Sequence, residues 1–327
     1  QESRKQAELA SLNTAPDFSS ADIGRHVDYL CRPELGGRLT GTQGEINATA
    51  YVAAYLESLG LQPAGRDQTF FHEFEFVSDV KLGADNTLGL ASDAAPGKSY
   101  QLDQEWRPVF FSQEGRIDPT AVVFAGYGIV APGETTGAAD KKSAADKAEY
   151  DSYVHLDVAN KWVMVLRQMP QDISPERRQH LARYSGSRYK AMVARDRGAK
   201  GLIFVSGPNS PVRQRLIPLE MDGTLGASSL SVISVSDEIA IEWVKTAGED
   251  LKEIQTHLDS GQLAMGFELK GIQLSANIDI EPVTSRGRNV LALLPAQERG
   301  KNSLASDQTT QTPLTAEMIV VGAHIDH

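Results

Sequence analysis

At 327 residues the chain exceeds one typical domain, so two domains are the natural expectation. Its 41% apolar and 23% charged residues describe an ordinary globular composition, and Lys+Arg 32 against Asp+Glu 43 leaves a net charge of −11. With no long basic run, and no apolar run near the roughly 18 residues of a membrane span, nucleic acid, anionic membrane surfaces and a bilayer span are excluded as expectations.

The start, Gln1-Glu2-Ser3-Arg4-Lys5-Gln6, is polar and lacks Met, which fits either a cleaved secretory leader or a trimmed start. The expected location is secreted, periplasmic or cell-envelope. Residues 1–18 read as a tail. Ser19 with Asp22 resembles a capping box, and Ile23, Val27, Leu30 and Cys31 follow at helical spacing. Cys31 is the only cysteine, which rules out an intrachain disulfide, and it reads as a small buried hydrophobe.

The link Gly36-Gly37-Arg38-Leu39-Thr40-Gly41-Thr42 lacks the Gly-Lys-Ser/Thr ending of a phosphate-binding loop and follows a helix, not a strand. Arg38 there could reach a neighbouring domain or a substrate, or simply stabilise the turn. Thr42 and Glu45 cap a second helix with Val52, Tyr55, Leu56 and Leu59 on one face, stopped by Gly60.

Residues 69–77 alternate, with Phe70, His72, Phe74 and Phe76 on one face, and His72 reads as a packed or edge residue. Asp85-Asn86 inside 80–90 suggests a hairpin. From about Pro108 short strands dominate, at 121–128, 161–167, 202–205 and 231–235, with a polar insert at 132–149. Helices are expected at 189–197 (Ala191, Met192 and Ala194 inward), after Ser236 (Ile239, Trp243, Val244) and after Gly248 (Leu251, Ile254, Leu258). His180 and His257 match no ligand spacing and read as surface residues. A clean alternation at 272–280, a strand at 289–294 and a polar excursion at 297–317 follow.

The chain closes on Met318-Ile319-Val320-Val321-Gly322-Ala323-His324-Ile325-Asp326-His327. Its apolar, β-branched part predicts a strand buried on both faces, with His324 and Asp326 two residues apart at its C-terminal end. Neutral imidazole is a good zinc ligand, and a metal-bound histidine usually passes its other N–H to a carboxylate. An ordinary loop pair is the bland alternative.

Gly287-Arg288-Asn289-Val290-Leu291-Ala292-Leu293-Leu294-Pro295 followed by this closing stretch resembles the zinc-dependent exopeptidases that include bacterial aminopeptidases and glutamate carboxypeptidase. Gly37-Arg38-Leu39-Thr40-Gly41-Thr42 and Tyr51-Val52-Ala53-Ala54-Tyr55-Leu56-Glu57-Ser58-Leu59-Gly60-Leu61 resemble the start of the same family. The helix-Gly198-Ala199-Lys200-Gly201-strand pattern looks like the protease-associated domain, a module inserted in many members that shapes the substrate entrance.

The resemblance implies an α/β/α peptidase domain interrupted by a β-rich protease-associated domain. Its expected boundaries are a tail at 1–18, the first part of the peptidase domain at 19–107, the inserted domain at 108–271 and an incomplete return segment at 272–327. The family binds two zinc ions and hydrolyses terminal residues from peptide substrates. His324 carries over as a metal ligand and Asp326 as the group that orients it, while His327 matches a histidine that is not a ligand. The family's other ligands and its general-base glutamate would fall after His327, so the chain by itself is expected to be inactive. Some relatives keep the fold as non-enzymatic, receptor-like binding proteins, which is the alternative function. The sequence does not determine an oligomeric state.

Overall fold

The computed structural model describes residues 19–92, 97–134, 146–212, 216–222, 228–295 and 319–326. The expected tail, the whole polar excursion at 297–317, much of the insert at 132–149 and His327 lie outside the described residues. The chain divides into two compact units, one of residues 1–78 with 284–327, the other Asp79–Val283. The sequence reading set its inserted module at 108–271.

In the first unit, helix α1 (Ser20–Leu30) starts where expected, with the Ser19 hydroxyl accepting from the Asp22 N–H. Its packing face differs from the expected one. Ile23, Val27 and Cys31 are exposed, and no residue of the helix is buried. The helix is held instead by His26 and Tyr29, whose side chains meet the second helix. Tyr29 stacks on Tyr51 at 3.8 Å between centroids, and His26 Nδ1 lies 2.8 Å from the Tyr51 hydroxyl. Flat rings matched to rings outcompete the thin aliphatic stripe.

A 3-10 segment, Pro33–Arg38, leads into α2 (Gln43–Ser58), capped by Thr42. The predicted apolar face of α2 is only half-buried, and Leu59 is exposed. The buried side carries Gly44, Glu45, Ala48, Thr49 and Tyr51. A Cβ on Gly44 would sit 1.8 Å from the Leu35 carbonyl oxygen, so small size lets the 3-10 segment lie on the helix start. β1 (Gln62–Pro63) pairs antiparallel with β14 (Ala292–Leu293). β2 (Phe71–Leu82) pairs with β13 (Ile280–Val290).

The hairpin expected around Asp85-Asn86 does not form. β3 (Thr87–Ser92) pairs with β12 (Phe267–Ile278) and β4 (Lys98–Ser99), not with β2. The turn is claimed by Asp279, whose carbonyl accepts from the Gly83 N–H and the Asn86 side chain, and whose carboxylate accepts from the Asp85 N–H.

The second unit is built on an eight-stranded mixed sheet. It adds β5 (Trp106–Pro108), β6 (Gly115–Phe124), β9 (Trp162–Leu166), β10 (Gly201–Val205) and β11 (Ser231–Val235), in the order β4-β3-β12-β6-β9-β10-β11-β5. β6, β9, β10 and β11 run parallel, and the flanking strands are antiparallel. Two short strands, β7 (Val130–Ala131) and β8 (Tyr150–Asp151), form a separate ribbon.

The parallel strands are buried on both faces, as continuous apolar runs predict. Trp162, Met164, Leu166, Ile203, Val205 and Ile233 face one core, shared with α5 (Asp237–Thr246) and α6 (Leu251–Asp259). Val163, Val165, Leu202, Phe204 and Val232 face the other, shared with Ala191, Val193 and Ala194 of α4 (Ser187–Asp196). The unit is therefore mixed α/β, with helices on both faces of a sheet.

Two expectations in this unit are corrected. Met192 is exposed, and Lys190 takes the inward position. Its ammonium donates to the carbonyls of Leu166 (2.9 Å), Arg167 (3.1 Å) and Gln168 (2.6 Å), using all three donors. His180, on α3 (Pro175–Ala182), is buried and not at the surface, with Glu134 Oε1 3.4 Å from its Nδ1.

Candidate functional site

The closing stretch, 319–326, forms no strand among the described residues. Ile319, Val320 and Val321 are exposed, contrary to the expected strand buried on both faces. A strand is an intermolecular or interstrand object: apolar content supplies the tendency, and a partner must supply the hydrogen bonds. His324 and Asp326 nevertheless come together. His324 Nδ1 is 3.6 Å from Asp326 Oδ1, and the His324 side chain is 99% exposed.

The glycine-rich link meets this pair within the first unit. Gly36 and Gly37 have φ of 55° and 82°, and Arg38 follows at 62°, so three successive residues are left-handed. That sharp turn suits glycine and is rare for a residue with a side chain. It aims the half-buried Arg38 guanidinium at two main-chain carbonyls. Nε donates to Ile325 O at 2.8 Å, and Nη1 donates to Leu30 O at the end of α1. Two residues on, the Thr40 hydroxyl donates to Asp326 Oδ2 at 3.2 Å.

Beneath the link lies Glu45, a buried carboxylate. One oxygen accepts from the Gly41 N–H (3.0 Å), the other from the Arg288 N–H (2.9 Å). Arg288 in turn donates to Thr49 Oγ1 at 2.7 Å and sits 4.0 Å over the Phe71 ring. Loss of solvent lowers the Arg288 pKa, and the Glu45 charge opposes that. Helix α2, strand β13 and the link are thus tied through one carboxylate.

Of the other described histidines, His26 is on α1, His180 is buried in the second unit, and His72, His155 and His257 are exposed. Sequence reasoning singled out His324 and Asp326 but missed Thr40.

The Asp326 carboxylate lies on the Nδ1 side of His324, at a distance longer than a hydrogen bond. Among the described residues no group of three or more His, Cys, Asp or Glu side chains could hold a metal ion. A catalytic zinc takes about three protein ligands, and the described residues do not supply such a set.

Two solved structures of BSAP, a zinc aminopeptidase from Bacillus subtilis, are similar to this chain. One is 14% identical with a TM-score of 0.31, covering 84% of this chain and 47% of that one. The other, at medium resolution, is 14% identical with a TM-score of 0.30, covering 88% and 49%. The chain spans about half the length of these structures. No protein family matches the chain, and no curated protein does.

Proposed function

We propose that this chain carries one side of the metal centre of a zinc-dependent exopeptidase, an aminopeptidase acting on the free N-termini of peptides. In this reading His324 is a zinc ligand and Asp326 orients it. The Gly-Ala-His-x-Asp stretch and the order of family-like phrases along the chain support it. The observation that carries it is the approach of the Asp326 carboxylate to His324 Nδ1, at 3.6 Å. Were that contact to close to a hydrogen bond, Nε2 would be left for the cation.

A zinc ion, when bound, would polarise a scissile carbonyl and lower the pKa of a bound water. The residues described here would fix the direction and tautomer of one ligand. On this reading residues 108–271, within the second unit, are the inserted protease-associated module, with a role in shaping access for the peptide. A secreted or cell-envelope location goes with a peptidase of this kind. No helix among the described residues is long and apolar enough to cross a membrane.

The test uses the full-length protein, with zinc content measured by elemental analysis beside hydrolysis of aminoacyl-p-nitroanilides. His324→Ala should remove one zinc equivalent and most activity. Asp326→Asn should lower activity or zinc affinity on the order of 10–100-fold. Full zinc content and full activity in His324→Ala would overturn the assignment and bring the non-enzymatic binding role forward.

A further inference from the structure

We propose that Arg167, at the carboxyl end of the parallel strands of the second unit, is a binding residue for a ligand carboxylate. The proposal is independent of the zinc reading, since every residue it uses as part of the site lies in the second unit.

Arg167 directly follows β9, which lies between β6 and β10 in the sheet. Open parallel sheets with helices on both faces take their ligands beyond the carboxyl ends of the strands. The main chain here is fixed from several sides. The Arg167 N–H donates to Val205 O at 2.7 Å, and its carbonyl accepts from Lys190 Nζ at 3.1 Å. The Leu166 N–H, one residue back, donates to Gly126 O at 2.8 Å, just past the end of β6. A side chain mounted on so firmly held a backbone starts from a defined place, which lowers the ordering cost of binding. By alternation with Val163 and Val165, Arg167 falls on the sheet face covered by α4.

A guanidinium carries several N–H donors and keeps its charge in proteins. That of Arg167 is partly buried, yet it has no hydrogen bond, ion pair or ring contact among the described residues. Each of the other partly buried arginines is bonded: Arg107, Arg188 and Arg197 to carboxylates, the rest to main-chain carbonyls or a hydroxyl. Loss of solvent lowers the Arg167 pKa, and no neighbouring charge works against it, whereas Glu45 does so for Arg288. Lys190 adds to the imbalance, since its ammonium bonds only neutral carbonyls. Two cationic groups thus stand at this sheet end with no carboxylate paired to either among the described residues, in a chain of net charge −11. A partly desolvated charge without a partner costs free energy, and an anion that supplies the partner recovers it.

The chemistry favours a carboxylate over a phosphate. Two parallel N–H groups of one guanidinium match the two oxygens of a carboxylate. Phosphate cradles draw on successive main-chain N–H groups of a glycine-rich turn. The residues after β9, Arg167-Gln168-Met169-Pro170, include no glycine, and Pro170 has no N–H to give.

The test is calorimetric titration of the full-length protein at low ionic strength with N-acetylglycine, its uncharged amide and inorganic phosphate. N-acetylglycine should bind saturably, and the amide and phosphate more weakly on the order of 10-fold. Arg167→Met should weaken N-acetylglycine binding by at least about 10-fold. Arg167→Lys, which keeps the charge without the fork, should retain part of the affinity.

Thermal unfolding separates a binding role from a structural one. An arginine that holds the fold together lowers the midpoint when it is replaced. One without a partner does not, so Arg167→Met, which keeps an aliphatic stem, should unfold at the wild-type temperature or above it. No saturable binding of N-acetylglycine, or a titration unchanged in Arg167→Met as for general charge screening, would overturn the proposal. A clearly lowered midpoint in Arg167→Met would overturn it too, by showing a structural role. Phosphate binding that is lost in Arg167→Met while N-acetylglycine has no effect would defeat the carboxylate assignment.

Discussion

Glu45 and Lys190 show how a single buried charge can organise a region. Glu45 satisfies two backbone donors from different elements, the Gly41 N–H and the Arg288 N–H. Leaving such donors unpaired costs about 1–3 kcal/mol. Glu45→Ala should therefore lower stability by about 2 kcal/mol in urea unfolding, and Glu45→Gln, which keeps one acceptor, by less. Lys190 is the counterpart in the second unit. Burial pushes its pKa well below the ordinary lysine value of 10.5, while the three carbonyls favour the ammonium. Between that depressed value and 10.5 the unfolded chain holds a proton that the folded chain has released, so stability rises with pH across this window. Lys190→Met should cost about 3 kcal/mol at neutral pH through the stranded carbonyls, and its stability should lack that rise when unfolding is followed from neutral to alkaline pH.

Among the elements, α1 separates amphipathic pattern from actual packing. Its aliphatic residues are placed as a core stripe should be, yet His26 and Tyr29 make the contacts, with Tyr29 stacked on Tyr51. Tyr29→Ala should destabilise the first unit by about 2 kcal/mol, while Ile23→Ser and Val27→Ser should stay within about 0.5 kcal/mol by chemical denaturation. The same lesson holds for β3. Its sequence neighbour β2 was the expected partner, but Asp279 captures the intervening turn and β3 pairs with β12. One residue, through its main-chain carbonyl and its carboxylate, holds the turn that would otherwise have closed a hairpin.

For the whole molecule, the two units differ in how their backbone is protected. β9, β10 and β11 are paired within the sheet and buried on both faces, whereas 319–326 is held by two side-chain hydrogen bonds. Local opening costs follow such differences. Hydrogen exchange should be slowest in Trp162–Leu166, Gly201–Val205 and Ser231–Val235 and fast throughout 319–326. Slow exchange at Ile319, Val320 and Val321 would mean that this stretch is paired in solution. The zinc content of the full-length protein then tests the function at the same scale.

What the sequence determined by itself is what depends on neighbours along the chain. The caps at Ser19, Thr42 and Ser236 are set by hydroxyls three residues from the N–H groups they accept. The parallel strands at β9, β10 and β11 are set by unbroken apolar runs. What only the tertiary structure decided depends on partners far away in sequence: Lys190 rather than Met192 turned inward, His180 buried, β3 paired with β12, and the stretch from Ile319 left unpaired. Arg38 belongs to that second group. Its residue type was legible, but a guanidinium finds whichever carbonyls the fold brings within reach, and only the fold brought Ile325.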